Sequence, residues 1–81
     1  MSKKDIQINF KMSADFNDYI IKHPEIAKSI PDNARIVFYP MSNLPLAQRN
    51  LKMAEEAARK ERKKYFKAII TNGSWTLEPA R

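Results

Sequence analysis

Eighty-one residues carry 15 lysines and arginines against nine acids, with one histidine, one glycine and no cysteine, which excludes disulfide staples, thiolate metal sites and glycine-rich phosphate loops. One histidine does not build a zinc site, and no apolar run approaches the ~20 residues of a membrane span. A chain that is 43% hydrophobic is globular rather than disordered, and its length predicts a single domain, residues 1–81.

So small a domain buries only ~60–65% of its unfolded surface, so a second copy is the nearest source of further buried area and a homo-oligomer is expected. The start, Met1-Ser2-Lys3-Lys4, turns polar without an apolar leader, and a cytoplasmic protein needing no cofactor is expected.

Asp5 to Phe10 alternates polar and apolar residues at the strand period, which suits either a short edge strand or a lead-in to the first helix. Ser13 offers an N-cap, and Phe16, Tyr19 and Ile20 follow at helical spacing. His23-Pro24 interrupts. Proline and then Glu25 suit a first turn, predicting a second short helix from Pro24 to about Ser29. Ile30-Pro31-Asp32-Asn33 is turn chemistry. The β-branched and aromatic run 34–39, closed by Pro40, predicts a strand.

Met41 to Pro45 reads as a loop. A long helix is then predicted from about Leu46 to Lys63, with Ala47, Leu51, Ala54 and Ala58 on one stripe. Tyr65–Thr71 and Ser74–Glu78 flank Asn72-Gly73, a type I′ hairpin signal whose two-residue loop sets Ile70 opposite Trp75 and Lys67 opposite Glu78.

These elements predict a small two-layer α/β (α+β) domain: a mixed sheet of three or four strands, helices packed on one face, and a C-terminal hairpin. The inner face is expected to hold Ile36 and Phe38 with Phe66, Ala68, Ile70, Trp75 and Leu77. The outer, open face would show Arg35, Val37, Tyr39, Tyr65, Lys67 and Ile69.

Ser13-x-x-Phe16-x-x-Tyr19, His23-Pro24-Glu25, Ile30-Pro31-Asp32-x-Ala34, Val37-Phe38-x-Pro40 and Asn50-x-x-x-Ala54 span residues 13–54. This stretch resembles a family of short prokaryotic proteins of unknown function, in which a helical HPE segment leads into IPD-x-A and an apolar strand ending in proline. The resemblance implies an α/β fold and no established activity, and it carries no catalytic residue onto this chain. The basic stretch and the Asn-Gly hairpin lie outside it.

Catalytic chemistry has little to stand on. His23 and Glu25 form a possible acid–base pair, but no nucleophile or second base is placed beside them, and His-Pro-Glu is a common way to open a helix. Asp15 with Asp18, and Glu55 with Glu56, lack the spacing of a calcium loop, so no metal site is expected. The chain reads as a binding module, with no catalytic residues.

The informative feature is Arg59 to Lys67, where nine residues hold six basic side chains and one acid. Cations near a helix C-terminus also offset its dipole, which accounts for Arg62, Lys63 and Lys64 without any ligand. It accounts less well for the wider set Lys52, Arg59, Lys60, Lys63, Lys64 and Lys67, which predicts contact with nucleic acid, RNA or DNA, with Tyr39 and Tyr65 stacking beside it. The alternative is a protein-interaction or antitoxin-like accessory module, docking through an apolar patch of Val37, Tyr39, Tyr65 and Ile69 on the open face. The long helix has too few bulky residues on its polar side to anchor in a membrane.

Overall fold

Ser2 opens the first helix. Its hydroxyl accepts a hydrogen bond from the Asp5 backbone N–H at 3.1 Å, and α1 (Lys3–Lys22) then runs for 20 residues. The computed structural model describes residues 2–79. Residues 5–10 are helical rather than a strand, and Ser13 lies inside the helix instead of capping it. The physical reason is continuity: with no Gly or Pro before Pro24, the six-residue alternation is absorbed into a longer helical pattern in which Met12 and Phe16 are buried.

Pro24 stops α1, because the residue before a proline is pushed out of the helical region. His23 accordingly takes φ −130° and ψ 69°, and α2 (Pro24–Lys28) follows with proline in its first turn. Phe16, Tyr19 and His23 form a ladder along α1, with ring centroids 6.5 Å and 4.4 Å apart. The backbone divides into two compact units, one ending at Pro31 and the other beginning at Asp32.

The second unit contains β1 (Arg35–Pro40), α3 (Leu44–Glu61), β2 (Tyr65–Thr71) and β3 (Ser74–Pro79). The three strands form one mixed sheet in the order β1-β2-β3, with β1 and β2 parallel and β2 and β3 antiparallel. The chain is a small α+β protein.

The hairpin has the register its turn demands: Ile70 pairs with Trp75, and Lys67 with Glu78. Asn72 and Gly73 both take positive φ, at 50° and 81°.

Helix α3 starts two residues earlier than its apolar stripe suggests. The Asn43 side chain accepts the Leu46 backbone N–H at 3.3 Å, and Pro45 is tolerated in the first turn, where no donor is needed. It ends at Glu61 because Arg62 turns left-handed at φ 54°, and the Lys63 N–H returns to the Ala58 carbonyl.

Helix α3 lies on the face of the sheet that its sequence pattern assigns to solvent. Val37 and Tyr65 are 3% and 4% exposed, packed in one cluster with Ala54, Ala58 and the half-buried Leu51. Both faces are apolar, as parallel pairs commonly are, so alternation alone does not say which one the helix takes. Ile36, Phe38, Phe66, Ile70, Trp75 and Leu77 share the other face and are half-buried, with Phe38 and Trp75 edge to face at 6.0 Å.

The outer edge of β1 is also managed. The N–H groups of Arg35 and Met41 donate to Lys64 and Ile70, so the backbone groups of Phe38 and Pro40 point away from β2. The Asn50 side chain, reaching down from α3, donates to the Phe38 carbonyl at 2.9 Å. Pro40 lacks an N–H where the ladder has no use for one.

Candidate functional site

The six basic residues of the predicted binding set do not form one surface. Lys52 and Arg59 lie seven residues apart on one line of α3, about 10 Å along its axis, and Lys60 is about 100° further round. All three are exposed. Glu55 and Glu56 sit between Lys52 and Arg59 on the same side of the helix, so the net field there is small.

Beyond α3 the charge is less diluted. Arg62, Lys63 and Lys64 are exposed in the link to β2, and with Arg59 and Lys60 they put five cations into six consecutive positions.

The one acid among them, Glu61, is engaged elsewhere. Its two carboxylate oxygens each accept a hydrogen bond from Arg35 Nη2 at 3.0 Å, and Lys63 Nζ lies 3.7 Å away. The Arg35 hydrogen bond and charge, helped by Lys63, hold the Glu61 carboxyl below the usual glutamate range. Arg35 thereby ties the start of β1 to the end of α3. Neither Arg35 nor Arg62 belongs to the binding set expected from sequence. Arg62 lay in the same charge run, but the role of Arg35 depends on a contact 26 positions away.

Lys67 belongs to a different environment. It is on the α3-bearing face of β2, with Nζ 3.5 Å from Glu78 Oε1 and 5.1 Å from the centre of the Tyr39 ring. Its charge is met within the sheet.

The proposed apolar patch is corrected in the same way. Val37, Tyr39, Tyr65 and Ile69 do share a face, but Val37 and Tyr65 are core residues beneath α3, and Tyr39 and Ile69 are half-buried. Tyr65 has no open ring face for a base to stack on, and Lys67 lies over Tyr39.

A shallow cleft of about 280 Å³ opens beside the basic end, lined by Asp32, Asn33, Ala34, Arg35 and Lys63. It holds charges of both signs, and its arginine is committed to Glu61. At the junction of α1 and α2, His23 Nδ1 lies 3.4 Å from Glu25 Oε1, both side chains exposed. Among the described residues no group of three or more His, Cys, Asp or Glu side chains is placed to hold a metal ion, and no helix is long and apolar enough to cross a membrane.

The fold and this charged end define a class: a small α+β module built on a β-α-β-β unit with an N-terminal helical segment. The sequence profile of a family of unknown function, DUF5647, matches residues 6–70, and the chain belongs to that family. The match extends well beyond residues 13–54, taking in the basic stretch and β2 as far as Ile70, and it stops short of the Asn72-Gly73 turn. No curated protein and no solved structure gives a significant match.

Proposed function

We propose that the protein is a binding module that contacts nucleic acid through the C-terminal end of α3, with Arg59, Lys60, Lys63 and Lys64 as the main phosphate contacts and Arg62 added to them. The observation that carries this reading is the exposed run of five cations from the last turn of α3 to the start of β2, whose only acid is bound by Arg35 with Lys63 3.7 Å from it. Phosphate contact needs this kind of clustering, because each neutralised phosphate releases counterions and adds to affinity. Lys52 lies at the edge of this site, and Lys67, paired with Glu78, lies outside it.

With Tyr65 buried and Tyr39 beneath Lys67, the site has charge without a stacking platform. Binding is therefore expected to follow the backbone and to ignore base sequence. The test is a titration of the full chain with short single-stranded and duplex oligonucleotides at several salt concentrations. Affinity that falls with salt, differs little between sequences and disappears in Lys60→Glu/Lys64→Glu supports the reading. No binding at low salt, or binding that survives the double substitution, overturns it.

The alternative of protein docking through the sheet face has lost two of its four side chains, Val37 and Tyr65, to the core.

A further inference from the structure

Helix α1 carries two apolar stripes, and only one of them is buried. Met12 and Phe16 are inside, whereas Ile6, Phe10 and Ile21 are 57%, 77% and 75% exposed. Positions 6, 10, 14, 17 and 21 follow at intervals of four, four, three and four, so Ile6, Phe10, Ala14, Asn17 and Ile21 make one line along the helix. A single exposed isoleucine needs no explanation, but three large apolar side chains aligned on a helix this rich in charge mark a contact surface.

The charges beside the line say what kind of partner fits. Lys11 in the first half of α1 and Asp18 in the second flank the line, Lys3 lies on the line itself, Lys4, Asp15 and Lys22 are turned further from it, and Asp5 is buried. Lys11 and Asp18 lie on the same flank of the stripe, seven residues apart. A second copy laid alongside with the same polarity would put the two flanks bearing Lys11 and Asp18 on opposite sides of the seam and set Lys3 against Lys3. One of opposite polarity sets lysine against aspartate, and the sequence that supplies that complement is α1 itself.

We propose that this stripe is a self-association surface on which α1 of a second copy lies antiparallel, about a two-fold axis close to Ser13 and Ala14. Ile6 then meets Ile21 of the second copy, and Lys11 meets its Asp18, each contact occurring twice, as an isologous interface requires. Asn17 is the polar position in the seam, the kind of residue that specifies register at some cost in stability.

Sedimentation of the full chain over a range of concentrations tests this, with thermal melts to verify folding. Wild type is expected at twice the 9.4 kDa chain mass. Phe10→Ser/Ile21→Ser is expected to be a folded monomer, since both side chains are exposed. Lys11→Glu should weaken association by about tenfold, a difference of about 1.4 kcal/mol, and Lys11→Glu/Asp18→Lys should restore it. A wild type that stays monomeric throughout, a dimer unaffected by Phe10→Ser/Ile21→Ser, or a charge swap that fails to rescue overturns the proposal. So does a monomer that instead sediments with anionic phosphatidylserine vesicles in a Phe10-dependent way.

Discussion

Glu61 is held by two hydrogen bonds from Arg35 and by the nearby Lys63, and its carboxyl titrates below the usual glutamate range. A carboxylate whose pKa is depressed by folding contributes stability above its unfolded pKa and loses it as pH falls through the folded one. Wild type is therefore expected to melt higher than Glu61→Gln at neutral pH. The gap should close on acidification below the usual glutamate range and narrow in high salt; a gap independent of pH would mean that charge is not its source.

Two other residues take positive φ, with opposite consequences for substitution. Arg62 is a non-glycine residue in the left-handed region, so Arg62→Gly is expected to stabilise the fold by about 1 kcal/mol while weakening oligonucleotide binding. Gly73 has φ +81° and nothing within 4 Å of the position a Cβ would take. Gly73→Ala should cost about 1–2 kcal/mol through conformation alone, with no clash involved. Urea midpoints measure both.

Among the elements, α3 explains most. Its buried side is built of Ala47, Ala54 and Ala58 with Leu46 and Asn50, small enough for the helix to settle against Val37 and Tyr65. Tyr65→Ser is thus expected to lower stability by about 3 kcal/mol by opening a cavity, measured by urea unfolding. The same change would have been nearly silent on an open face. Asn50 reaches the free edge of β1 through the Phe38 carbonyl, and Asn50→Ala should cost about 1 kcal/mol. The hairpin was legible residue by residue, because Asn72-Gly73 leaves one register. Helix α1 was not, because Ile6, Ile8 and Phe10 fit a strand as well as they fit part of a 20-residue helix. The start of α3 was hidden by Pro45, a helix breaker that is harmless in a first turn.

For the molecule as a whole, the excess positive charge is local, and its effect is a matter of salt. Five phosphate contacts at the end of α3 predict a log–log salt slope of about −4.5 on duplex DNA. A slope near zero with retained affinity would point to a ligand recognised by other means. The order of elements, the hairpin register and the position of the basic run were determined by local sequence, because turn chemistry, periodicity and charge each act within a few residues. Which side of the sheet receives α3, which lysines meet an acid and which tyrosine is lost to the core were decided only by tertiary packing. Both faces of this sheet are apolar, and the partners that settle the matter, Arg35 for Glu61, Phe38 for Asn50 and Val37 for Ala54, come together only when distant parts of the chain fold.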